Sequence, residues 1–138
     1  MAITGLHDDW LVLASRPPVE DHEVCLLRSS FPALPSDYLD FARMATEVEL
    51  KGKGKKYLRI WSPQGCLEMD EAYGISQRMK GAIPIGDNGG GQVVFYQCGN
   101  RGDGIYRVGY GNLDADDAIF IASSLRSLLQ DGEGIDTL

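Results

Sequence analysis

Apolar residues along this chain recur first at helical spacing, then at alternate positions, with one further helical stretch between strands and another at the close. After Arg16-Pro17, the stretch PVEDHEVCLLRSS opens with proline, suited to a first helical position. Acids follow in the first turn, where a helix dipole favours them. Val24 and Leu27 can turn inward from this helix, with Leu26 as a further candidate. A second helix opens at Leu34-Pro35-Ser36-Asp37. Its Leu34, Tyr38, Phe41, Ala42 and Ala45 recur at steps of three and four, which makes Tyr38 and Phe41 core anchors.

From Glu47 the period falls to two. Glu47-Val48-Glu49-Leu50 alternates, KGKGKK intervenes, and residues 57–61 run as a strand with Tyr57, Arg59 and Trp61 on one face. Ser62-Pro63 starts a helical segment over 64–73. Ile83-Pro84-Ile85 reads as a short edge strand, because proline cannot donate to a ladder. Strands over 92–98 and 105–110 follow, then an acidic connection over 112–117 and a last strand over 118–122. Ser123 or Ser124 caps a closing helix that Gly132 stops. Two N-terminal helices, about five antiparallel strands and one C-terminal helix predict a single α+β domain over residues 1–138. The helices are expected on one face of a twisted sheet.

Charge changes the picture more than composition does. Hydrophobic residues are 43% and charged residues 24%, ordinary for a soluble globular chain, but the net charge of −7 is uneven. Residues 1–50 carry three basic and nine acidic groups, and residues 61–138 carry five and eleven; residues 51–60 carry five basic groups and no acid. An acidic body of this kind argues against wrapping nucleic acid and favours a basic protein partner. KGKGKK then reads as a solvated hairpin loop in preference to a nucleic-acid patch. No apolar run reaches the roughly 20 residues that cross a bilayer, and the first ten residues lack the order of a signal peptide. A cytoplasmic location is the expectation. Cys25, Cys66 and Cys98 form no CxxC pair and are expected as reduced thiols, and with only His7 and His22 no zinc site is expected.

The stretch GDNGGG, residues 86–91, is the most conspicuous candidate for chemistry. A phosphate cradle needs a helix after the glycines, whereas Gln92-Val93-Val94-Phe95-Tyr96 is β-branched and aromatic. A calcium loop counted from Asp87 would place its twelfth ligand on Cys98. The segment is therefore read as a hairpin turn, with Asn88-Gly89 supplying positive φ. No GxSxG occurs, and the neighbours Asp116-Asp117 and Asp70-Glu71 point apart instead of converging as catalytic pairs. No catalytic residues, metal or cofactor are expected. Trp61 has two readings, a contact residue and a core or edge anchor.

Four segments in succession, LPSDYLDF, LRIWSPQGCLEMDEAY, AIPIGDNGGGQVVFY and GYGNLDADDAIFIASSLRSLL, resemble the SUKH superfamily. That family includes a yeast regulator of cell-wall assembly and is common in bacteria. The resemblance covers roughly residues 18–131. It implies an α+β fold and, for bacterial members, an immunity protein that binds and neutralises a toxin, often of nuclease type. It implies regulatory or scaffold interaction modules for eukaryotic members, and it does not imply an enzyme. The positions that correspond are Trp61, Asp87 with Gly90-Gly91, and residues 114–117. One segment departs: many relatives carry an Asn-Gly-rich turn after the second helix, where this chain reads Ala45-Thr46-Glu47-Val48. On these grounds the expected contact residues are Trp61, Asp87, Asn88, Tyr106, Asp114, Asp116 and Asp117. The expected partner is a basic toxin domain. The first alternative is a regulatory or scaffold module that recognises a host protein or peptide, and the second a small-molecule-binding domain or enzyme using the glycine hairpin and nearby acids.

Overall fold

A computed structural model describes residues 3–99 and 101–138. Its frame is one antiparallel sheet of seven strands whose order in space is their order in the chain. The strands are β1 (Leu11–Arg16), β2 (Thr46–Lys51), β3 (Tyr57–Ile60), β4 (Ile83–Asp87), β5 (Gln92–Gly99), β6 (Gly102–Gly109) and β7 (Ile119–Ala122). Helices α1 (Asp21–Ser30) and α2 (Ser36–Ala42) lie between β1 and β2, and α3 (Pro63–Tyr73) and α4 (Ile75–Arg78) lie between β3 and β4. The mixed α+β class follows the apolar periodicity, but the sheet has seven strands where about five are expected.

Each element has a local cause. In α1 the Glu23 carboxylate accepts the Glu20 backbone N–H, so the helix begins after Pro18, at Asp21. Val24 and Leu27 are buried, while Leu26 stays 58% exposed. Helix α3 starts on Ser62, whose Oγ accepts the Gly65 N–H at 3.1 Å, with Pro63 in the first turn and left-handed Gly74 closing it. In β2, Thr46, Val48 and Leu50 point into the core and Glu47 and Glu49 lie outside it, the period-two pattern of the sequence. After β7, the Ser124 Oγ accepts the Ser127 N–H at 3.0 Å, and the closing helix continues as a π-helical turn, Ser127–Asp131, before Gly132.

One expectation needs correction. Strand β4 lies between β3 and β5, inside the sheet. Its proline is accommodated because β3 is in register only with Gly86 and Asp87, so Pro84 sits beyond the end of that ladder. A register break toward β5 falls between Pro84 and Gly86. Val93, Val94, Phe95 and Tyr96 are consecutive and all buried, so both faces of β5 are covered. On one of them the Tyr96 hydroxyl donates to Asp37 of α2.

Strand β1 carries no alternation. All six residues are exposed, including Leu11 at 60% and Leu13 at 52%. Its one strand neighbour is β2, with register breaks around Leu13 and Ser15. Trp10, just before it, is buried and donates its indole N–H to the Leu128 carbonyl at 3.1 Å.

Candidate partner-binding surface

Consecutive strands that are antiparallel neighbours place their connections alternately at the two ends of the sheet. The β2–β3, β4–β5 and β6–β7 connections therefore emerge together, and KGKGKK, GDNGGG and the acidic segment share one end of the protein.

The middle connection is the hairpin turn expected from the sequence. Asn88 N–H donates to the Gln92 carbonyl at 3.2 Å, with Gly89 and Gly91 at positive φ. Glycine at 89 also meets a steric need, since a Cβ there would lie 2.8 Å from the Tyr57 ring. Asp87 is half-buried, and both carboxylate oxygens are used: one accepts the Trp61 indole N–H at 2.9 Å, the other the Gly89 N–H at 2.9 Å. The Asn88 side chain accepts the Gly90 N–H at 3.0 Å.

Beside it, Tyr110 N–H donates to the Gly91 carbonyl at 3.1 Å and ties the third connection to the turn. Leu113, buried in a left-handed conformation at φ 46°, anchors the loop. Asp114 accepts the Asp116 N–H at 2.9 Å, and Asp117 accepts from the Asn112 amide at 3.0 Å. All three acids are exposed. None of them takes part in an ion pair among the described residues.

The first connection supplies the opposite charge. Lys53 pairs with Asp9 at 3.1 Å, Lys56 donates to the Leu138 carbonyl at 3.1 Å, and Lys51 and Lys55 are exposed. This end is thus divided, basic at β2–β3 and acidic at β6–β7.

Aromatic side chains sit between the two. The Tyr57 hydroxyl donates to Glu49 at 2.6 Å, and burial first, then that carboxylate, push its pKa up to about 12. The Tyr73 ring packs against Tyr110 at a tilt of 37°, with ring centres 4.5 Å apart, and remains 45% exposed. The pKa of the Tyr110 hydroxyl is raised by burial, then by the nearby charge of Asp87, and the group has no hydrogen-bond partner among the described residues. Tyr73 was missed by sequence reasoning; its only signal is the aromatic residue before the helix-ending Gly74.

The seven expected contact residues therefore divide. Asp114, Asp116 and Asp117 are grouped and exposed, with Asp87 and Asn88 beside them in the adjoining turn. Trp61 and Tyr106 are buried, at 4% and 2% exposure, and present almost no surface. The Tyr106 hydroxyl donates to the Gly102 carbonyl at 2.7 Å and accepts the Arg101 N–H, which holds the β5–β6 turn.

At the opposite end of the sheet lies a cleft of about 700 Å³. Asp37, Ile83, Tyr96, Cys98, Ser124 and Arg126 are among its lining residues. Within this lining Asp37 accepts from the Tyr96 hydroxyl and from the Arg126 N–H. Among the described residues, no three His, Cys, Asp or Glu side chains are grouped to hold a metal ion, and no helix is long and apolar enough to cross a membrane.

These features define a small α+β protein whose loops gather charge and aromatic surface at one end. No family model and no curated protein matches the chain.

Proposed function

We propose that this is an immunity-type, SUKH-like binding protein of the cytoplasm, which neutralises a toxin by direct contact and performs no chemistry of its own. The observation that carries the reading is the grouping of Asp114, Asp116 and Asp117 as exposed acids, in no ion pair among the described residues, beside the Asp87–Asn88 turn. A basic domain docks on these acids, with Tyr73 as the aromatic neighbour and the lysine loop repelling the wrong orientation. Rescue of cells that express a toxin encoded beside this gene is the direct test. Replacing the three acids with asparagine should slow association about tenfold or more at low salt, as loss of steering does. An association rate that ignores both the substitutions and the ionic strength rejects the acidic surface as the contact.

A second reading rests on the 700 Å³ cleft, whose size suits a small ligand. A reproducible thermal shift with a nucleotide or other metabolite, abolished by Tyr96→Phe with Ile83→Trp, would favour a ligand-binding domain instead.

A further inference from the structure

The two edges of the sheet are unequal. At β7 the C-terminal segment packs on the strand: a Cβ at Gly134 would collide with the Ile121 carbonyl, and Glu133 accepts the Ser123 N–H at 3.0 Å. The glutamate is held ionised below its usual range by that hydrogen bond and by the Ser123 hydroxyl. Strand β7 also has only four residues.

Strand β1 is longer, at six residues, and all six are exposed. It has one strand neighbour, so its other side offers unpaired backbone groups. Leu11, Val12 and Leu13 are 60%, 39% and 52% exposed, so apolar surface lies open on both faces of the strand. Edge strands are usually blunted by lysine, proline, bulges or inward charges. Here only the register breaks are present, and LVLASR holds no proline and one charge, at its end.

The charges that flank β1 select its partner. Asp8, in the turn before the strand, and Arg16, at its last position, are both exposed, and neither forms an ion pair among the described residues. Val12 is midway between them in sequence. Antiparallel pairing of two such strands about a two-fold axis near Val12 brings Asp8 of each copy toward Arg16 of the other. The apolar residues Leu11–Leu13 then cover one another. Strand β7, IFIA, has no charge to answer either group, and β1-to-β7 pairing would propagate as a filament where two-fold pairing closes.

We propose that two copies of this chain associate through β1, joining their sheets edge to edge with Asp8 and Arg16 paired across the junction. One six-residue strand per copy is a small contact, so the dimer forms as concentration rises and is not permanent.

Sedimentation equilibrium of the whole chain tests this. The mass should climb from 15.1 kDa toward twice that value with concentration. Leu13→Lys should hold it at the single-chain mass with the melting temperature little changed, since Leu13 is exposed. Arg16→Asp should weaken association at least severalfold, and Asp8→Arg combined with Arg16→Asp should restore it. A single-chain mass at every soluble concentration overturns the proposal. So does a dimer that survives Leu13→Lys, or a charge reversal that the double exchange fails to rescue.

Discussion

The indole N–H of Trp61 donates to the Asp87 carboxylate at 2.9 Å, and through that bond the end of β3 is tied to the turn after β4. The same carboxylate accepts the Gly89 N–H. One side chain thus positions a buried tryptophan and shapes the tip beside the acidic loop.

Replacing Asp87 with alanine removes both bonds and leaves the indole N–H without its acceptor. The expected loss is about 1–3 kcal/mol, the range for stranding a part-buried donor. Asparagine keeps an acceptor and should cost less. Urea unfolding of the two variants decides the matter, and equal losses would show that the hydrogen bonds contribute nothing.

Glu47 occupies a left-handed conformation at φ 46°, at the break in register between β1 and β2. Its carboxylate accepts the Ser62 N–H, so a strained backbone aims a side chain at the start of α3. Removing the side chain while keeping a Cβ retains the strain and loses the bond. Glu47→Ala should therefore be less stable than Glu47→Gly by about 1 kcal/mol, the cost of left-handed φ for a residue with a Cβ. Thermal melts that rank the two the other way would reject this account.

Gly86 faces Ile60 across the β3–β4 ladder, and a Cβ there would collide with the Arg59 carbonyl, a backbone atom that cannot swing aside. Gly86→Ala should lose about 1–3 kcal/mol, typical of forced overpacking. Gly109→Ala, where a Cβ meets nothing within 4 Å, is the control and should stay within about 0.5 kcal/mol. Matched denaturant midpoints for the two would refute the close approach.

Alkaline pH should unfold the protein through its buried hydroxyl and thiol groups. Tyr57 is pushed from 10.0 to about 12 and Cys66 from 9.0 to about 12, chiefly by burial; Tyr38 and Tyr96 are raised for the same first reason. A folded pKa above the unfolded value means that the folded protein holds the proton more tightly. Their stabilisation is complete below about pH 9, and it falls as the unfolded chain ionises between there and pH 12. Melting temperature against pH should drop across that window, while absorbance shows these tyrosines ionising only as the fold is lost. A flat profile to pH 12 would contradict the burial.

Much of this fold was legible where one physical demand acts alone. The alternation Glu47-Val48-Glu49-Leu50 and the start of α3 at Ser62-Pro63 are local signals, and the structure follows them. Strand β1 was not legible, because an edge strand exposed on both faces has no core side to impose a period. Pro84 argued for an edge; its place inside the sheet depends on where β3 ends, which the segment itself does not encode. The turn at 88–91 and the acids at 114–117 could be located in the chain, but their adjacency rests on the Tyr110–Gly91 hydrogen bond between distant segments. Trp61 and Tyr106 could be placed on strands, while their burial depends on how both faces of the sheet are covered.

Because neighbours in the sheet are always neighbours in the chain, the sheet can grow in the order of synthesis, each strand docking on the last. Trp10 departs from that order: its indole waits for the carbonyl of Leu128, 118 positions later. A nascent chain would assemble its ladder early and keep that ring unsheltered until Leu128 has been made, so a stall before that point leaves an ordered sheet with an open seam.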